Sequence, residues 1–134
     1  MTNISQSDIA HILAAAREVR LNAHAPYSGF AVGAAVLASS GCIYTGCNVE
    51  NASYGLTICA ERNAVAAAVA AGEKSLSAVA IIADASEPVP PCGACRQVLV
   101  EFAGDVPVIM ENLSGQRRML SLHELLPWRF EFKK

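Results

Sequence analysis

Four residues in two short frames carry most of the chemical information in this chain: Cys59 and Glu61 in Thr57-Ile-Cys-Ala-Glu-Arg62, and Cys92 and Cys95 in Pro91-Cys-Gly-Ala-Cys-Arg-Gln97. Three thiols converging on one metal ion supply three protein ligands and leave the fourth tetrahedral position to water. A carboxylate two residues after the first thiol then stands beside that water as an acid and base. This is the donor set of a catalytic zinc site. A structural site closes with a fourth protein ligand and leaves Glu61 no chemical task. On the residues alone two non-enzymatic readings compete, a four-ligand zinc knot and a reversible Cys92–Cys95 redox pair. Cys42 and Cys47 read as small buried apolar residues of a strand. His11, His24 and His123 fall at no metal-ligand spacing, and the glycines at 29, 33, 41 and 46 form no phosphate-cradling loop.

The elements that must position these groups follow an α/β order. Ile9, Ile12, Leu13, Ala16 and Val19 recur at helical spacing, so a first helix runs from a Ser5 or Ser7 cap to about Asn22. Two β-rich runs, Phe30 to Leu37 and Cys42 to Val49, flank Ala38-Ser-Ser-Gly41 and read as a hairpin. Alanine dominates Cys59 to Ala71, where Ala64, Ala67, Ala68 and Ala71 predict a closely packed central helix ending at Gly72. A buried strand over Val79 to Ala83, a proline-rich loop to Pro91, a third helix from Gly93 to Phe102 and a strand over Val106 to Met110 come next. Leu120 to Leu126 reads as a short helix before Pro127. Strands alternating with helices imply helices packed on a central sheet. Cys59 opens the central helix and Cys92 with Cys95 brackets the start of the third, so both helix N-termini face the metal and favour thiolates. Zinc with three thiolates carries a formal charge of −1, which Arg62 offsets by donating to ligand sulfur, with Arg96 as a second candidate for that role.

Composition narrows the possible partners. The chain has 134 residues, which reads as one domain over 1–134. Its apolar fraction is 53%, with a mean hydropathy of +0.34. No apolar run approaches the ~20 residues that span a bilayer, so membrane insertion is not expected. The apolar excess instead implies burial between copies in a homo-oligomer. A net charge of −2 with scattered lysines and arginines disfavours nucleic acid and points to a small-molecule substrate. The residues from Met1 to Ser7 carry no export pattern, and five cysteines with no disulfide-like framework suit a reducing cytoplasm.

Cys59-Ala-Glu61 followed by Pro91-Cys92-x-x-Cys95 is similar to the signature of the zinc-dependent nucleoside deaminases. Three further motifs extend the likeness: Ala25-Pro-Tyr-Ser-Gly-Phe30, Val32-Gly-Ala-Ala35 and Gly46-Cys-Asn-Val-Glu-Asn-Ala-Ser-Tyr54. With Cys as first ligand, the chain resembles the small homotetrameric cytidine deaminases of the cytidine/deoxycytidylate deaminase superfamily, from about Ile9 to Phe130. The resemblance implies a three-layer α/β/α fold with a central mixed five-stranded sheet and helices on both faces. It also implies one Zn²⁺ per chain held by Cys59, Cys92 and Cys95. The implied reaction is hydrolytic deamination of free cytidine and 2′-deoxycytidine, in pyrimidine salvage, by zinc-activated hydroxide attacking C4 while Glu61 shuttles protons.

The same resemblance assigns substrate contacts. Asn48 and Glu50, on one face of a strand, take the ribose hydroxyls; Phe30 packs on the pyrimidine; the Ala60 N–H donates to the ring carbonyl. Ala52, Tyr54 and Phe130 are expected to reach the pocket of a neighbouring subunit, making the tetramer's pockets shared. The sequence departs from the family in the bulky Trp128 and Arg129, and in Pro90, which removes a hydroxyl but keeps a carbonyl able to accept from the substrate amino group. A different cytosine-bearing small molecule, such as a nucleoside antibiotic, is the rival substrate.

Overall fold

A computed structural model describes residues 4–132; within the expected domain over 1–134, residues 1–3 and 133–134 lie outside this description. Five strands form one sheet in the order β2-β1-β3-β4-β5. They are β1 (Val32–Ala38), β2 (Ile43–Cys47), β3 (Leu76–Ala83), β4 (Pro107–Asn112) and β5 (Arg117–Ser121). Only β3 and β4 run parallel, joined through α3 (Gly93–Phe102); the other neighbours are antiparallel.

Strand alternation divides the core into two layers. Ala34, Val36, Val79, Ile81, Val108 and Met110 face one side, where α2 (Ala60–Ala70), α3 and α4 (Leu122–Leu125) cover them. Ala35, Leu37, Ala78, Ala80, Ile82 and Ile109 face the other, under Ile9, Ile12, Leu13 and Ala16 of α1 (Gln6–Val19). The three-layer sandwich expected from the family resemblance is therefore present. Small residues set the layer spacing: a Cβ on Gly46 would lie 2.3 Å from the Ala64 amide nitrogen, and one on Gly33 would lie 2.0 Å from the Ala16 oxygen. Each glycine lets a helix approach its strand more closely than any side chain would allow.

Several boundaries differ from the sequence reading. Ser5 is the cap of α1, its hydroxyl accepting from the Asp8 amide at 3.0 Å, and the last expected turn is a 3-10 segment at Arg20–Asn22. The hairpin strand starts at Val32, not Phe30, because Gly29 turns the chain at φ 70° and the Ser28 hydroxyl takes the Phe30 amide. Strand β5 had no counterpart in the periodicity; as an exposed edge it begins Arg-Arg and needs no alternation. It absorbs Leu120 and Ser121 from the expected last helix, whose start is fixed by a capping box between Ser121 and Glu124. Cys42 is exposed and Cys47 half-buried, against the expectation of burial, since the hairpin turn and an edge strand carry them.

Candidate active site

Parallel strands leave a crevice beyond their carboxyl ends, and ligands in open α/β sheets bind there. β3 ends at Ala83, the chain loops through Val89, Pro90 and Pro91, and Cys92 leads into α3 beside that crevice. Cys92 is the N-cap of α3 and Cys59 the N-cap of α2, and neither caps its helix with a side-chain hydrogen bond. The free first-turn amides of both helices therefore favour negative charge on the thiols. Cys95 sits in the first turn of α3, fully buried.

The Sγ atoms of Cys59, Cys92 and Cys95 all lie within 4.8 Å of one another. Cys59 and Cys92 are 3.9 Å apart, close to the ~3.8 Å expected between two sulfurs bound tetrahedrally to zinc at ~2.3 Å. The donor set fits zinc in chemistry as well: three soft ligands and, among the described residues, no fourth in the cluster. Hydrogen bonds from Cys95, Arg62 and Cys92 pull the Cys59 thiol down to about 5. Its bond to Cys59, burial and the Glu61 charge push the Cys95 thiol up. Arg62 Nη2 lies 3.7 Å from Cys59 Sγ, where it opposes the negative charge of the thiolate set, and its buried Nε has no hydrogen-bond partner among the described residues.

Glu61 occupies the first turn of α2 and is 5% exposed. Burial raises its pKa above the ordinary carboxylate value, with the Cys59 charge acting in the same direction. It lines a cavity of about 210 Å³ together with Cys59, Cys92, Ala60, Phe30 and Asn48. Val32, Thr57, Ile81, Val89 and Pro90 complete the walls. The walls are thus mostly apolar, with the Glu61 carboxylate and the Cys59 and Cys92 thiols among them.

Asn48 and Glu50 lie past the end of β2, not on a regular strand; isolated bridges join Val49 to His24 and to Ile58. The Asn48 amide nitrogen donates to the Phe30 carbonyl at 2.7 Å, and its oxygen accepts from the Val32 amide at 2.9 Å. Phe30 is thereby fixed at the pocket wall. Glu50 lies in an adjoining depression of about 350 Å³ with Tyr27, Ser28, Asn51 and Tyr54. Thr57 borders both spaces. Four expected substrate contacts do not line the cavity within one chain: Glu50 and Tyr54 lie in the depression, Ala52 is exposed, and so is Phe130, whose carbonyl accepts from Gln97 Nε2 at 3.2 Å.

Arg96 differs from the sequence expectation. Its described hydrogen bonds reach carbonyls, not sulfur: Nε donates to Pro91 at 2.7 Å and Nη1 to Leu125 at 2.6 Å. It ties the residue before Cys92 to α4, steadying a ligand through the backbone. Ser28 was not singled out in sequence, yet its hydroxyl bonds Glu50 and the Phe30 amide. A serine whose oxygen accepts from the amide two residues on is an ST-turn, a signal that Pro-Tyr-Ser-Gly carries only weakly.

An α/β/α sandwich with a three-sulfur metal cup and a buried carboxylate at the carboxyl end of its parallel strands defines a zinc-dependent hydrolase in class. The family model for the cytidine and deoxycytidylate deaminase zinc-binding region matches residues 6–111, and the chain belongs to that family. The cytidine deaminase of Sporosarcina psychrophila is 48% identical over 124 residues, covering 92% of this chain and 91% of the relative. The crystal structure of cytidine deaminase from Burkholderia pseudomallei superposes with a TM-score of 0.88 at 42% identity, covering 95% of this chain and 100% of that one. The cytidine deaminase structure from Mycobacterium tuberculosis gives 0.80 at 41% identity, over 93% and 98%.

Proposed function

We propose that this chain, as one domain, hydrolyses free cytidine and 2′-deoxycytidine to uridine and 2′-deoxyuridine, releasing ammonia, in pyrimidine salvage in the cytoplasm. The observation that carries the reading is Glu61, a buried carboxylate lining the same 210 Å³ cavity as Cys59 and Cys92. Cys59, Cys92 and Cys95 would hold the zinc, which would supply an acidified water and Lewis-acid charge. Glu61 takes one proton from the attacking water and passes it to ring N3, which makes C4 electrophilic; once the water oxygen has bonded to C4, Glu61 moves the remaining hydroxyl proton to the amino group, and the C4–N bond breaks with release of ammonia. Its raised pKa suits a group that must both take and give a proton near neutrality. Phe30 packs on the pyrimidine, the Ala60 amide donates to the ring carbonyl and Asn48 with Glu50 takes the sugar hydroxyls. Arg62 offsets the thiolate charge on the metal side.

The protein acts as a homotetramer in which Ala52, Tyr54 and Phe130 complete a neighbouring pocket. Exposed apolar side chains support such coverage: Phe30 on the cavity wall, Tyr54 in the adjoining depression, and Val49 and Leu56 in the same stretch of chain. Among the described residues no helix is long and apolar enough to cross a membrane. The test is to follow loss of the aminopyrimidine absorbance with cytidine, 2′-deoxycytidine, cytosine and CMP, for the protein and for Glu61→Gln. Turnover of the two nucleosides, abolished in the variant, is expected. Equal activity of Glu61→Gln sinks the mechanism, absence of nucleoside turnover sinks the function, and a monomer by size-exclusion mass measurement sinks the shared pocket.

A further inference from the structure

Glu50 is held from three directions by one turn. Its Oε1 accepts the Tyr27 amide at 2.9 Å and the Ser28 amide at 3.1 Å, and its Oε2 accepts the Ser28 hydroxyl. The same hydroxyl oxygen accepts the Phe30 amide at 2.9 Å. That amide fixes which way the Ser28 hydroxyl can donate, and the hydroxyl in turn fixes the carboxylate plane. A carboxylate offers about four lone-pair sites, two on each oxygen. With three taken, one remains, and it is on Oε2.

We propose that Ser28 is a positioning residue which, with the two amides, leaves Glu50 a single open acceptor, so that the pocket rim reads one hydroxyl of the bound nucleoside's sugar. This rests on the nucleoside reading given above. An unrestrained glutamate could turn both oxygens to the ligand and accept two hydroxyls. The clamped one cannot, because Oε1 is saturated by backbone. Selection of the sugar is thus built into the Ala25–Phe30 turn as well as into Glu50. The ionised state that a purely accepting role requires is favoured by the same Ser28 hydrogen bond, which lowers the Glu50 pKa.

The experiment measures kcat/KM for cytidine, 2′-deoxycytidine, 3′-deoxycytidine and 2′,3′-dideoxycytidine with the unmodified protein, Ser28→Ala and Ser28→Thr. Ser28→Ala should lose about tenfold to a hundredfold on cytidine, the scale of a hydrogen bond to a charged group. Ser28→Thr, which keeps a hydroxyl, should recover most of it. The alanine penalty should persist on one of the two monodeoxy nucleosides and vanish on the other and on the dideoxy compound. A penalty of equal size on all four substrates would mean that Ser28 only holds Phe30 and the fold, and would overturn the inference. No penalty anywhere, or a penalty that persists or vanishes on both monodeoxy substrates alike, overturns it too. An unmodified protein inactive on every nucleoside would instead overturn the nucleoside reading itself.

Discussion

Replacing Gly46 by alanine should damage the active site through the helix that carries Cys59 and Glu61. The added Cβ would meet the Ala64 nitrogen at 2.3 Å, the Ala60 oxygen at 2.5 Å and the Asn63 carbonyl carbon at 2.8 Å. All three are backbone atoms of α2, so no side-chain rotation relieves the contact. Ordinary contact begins at 3.4 Å, and the difference from 2.3 Å requires α2 to retreat by about 1 Å. Ala60 lies between Cys59 and Glu61, so the displaced turn is the one that carries a thiol of the metal cup and the proposed proton shuttle. Overpacking of this kind costs about 3 kcal/mol, which lowers Tm by roughly 10 °C for a chain of this size. A misplacement of ~1 Å at reacting groups costs about a hundredfold in rate. Gly33→Ala is the matched control, because its Cβ strikes Ala16 and Arg20 on the opposite layer; it should lose comparable stability with far less activity per folded chain. Gly104→Ala, with nothing within 4 Å of its Cβ, should change neither. The assay is Tm, zinc per chain and kcat/KM, read well below the lowest Tm. Full activity in a destabilised Gly46→Ala, or an equal activity loss in Gly33→Ala, would refute the coupling between β2 and the site.

Three further outcomes are expected. Because burial raises the Glu61 pKa and its ionised form must accept the proton, the acid limb of kcat/KM should lie above the ordinary carboxylate value of 4.5; a limb at or below 4.5 contradicts the buried shuttle. Arg96→Leu removes two donors that hold the Cys92 loop to α4 and should weaken zinc retention against a chelator by about tenfold to a hundredfold while Arg96→Lys loses less; unchanged retention contradicts that role. The Tyr44 hydroxyl donates to Glu73 at 2.7 Å, raising Tyr44 to about 12 and lowering Glu73. The pair's stabilisation should therefore be lost as pH falls below about 4.5 through the Glu73 value, and again as pH rises from 10 toward 12. Tyr44→Phe should remove the alkaline flank and shrink the acid one, where the Ser40 hydroxyl still donates to Glu73 at 2.8 Å, and absorbance titration should find one of the three tyrosines ionising late.

The core of the site was legible because its chemistry is local. Thiol spacing, the intervening glutamate and the alanine-rich helix sit within short windows, and the metal cup assembles from two helix N-caps whose sequences announce themselves. Strand β5 was not legible for the opposite reason. Arg117-Arg118-Met119-Leu120 has neither alternation nor an apolar run, and it becomes a strand only because β4 presents an edge to pair with. The short helix after it could have been bounded more closely, since Ser121-Leu-His-Glu124 spells a capping box in the sequence itself.

Arg62 and Arg96 show where local reading ends. Each follows directly after a residue of the metal site in the first turn of a helix, and each lies three or four positions from an N-cap cysteine, a spacing that puts side chains side by side. Sequence therefore treats them alike. Arg62 extends toward Cys59, while Arg96 meets the Leu125 carbonyl of α4, a partner 29 residues away that only the assembled fold brings near. That carbonyl and Pro91's compete for the guanidinium and win it from sulfur, since an uncharged carbonyl at 2.6–2.7 Å offers a short, well-directed acceptor. One arginine thus moderates the charge of the ligands and the other fixes the backbone that presents them. The two variants should separate accordingly: Arg62→Leu should retain its zinc yet lose kcat, because the thiolate charge is no longer offset, whereas Arg96→Leu should lose zinc first. Identical chelator sensitivity of the two would mean that both act on the metal by the same route, and the division of labour drawn from their hydrogen bonds would fail.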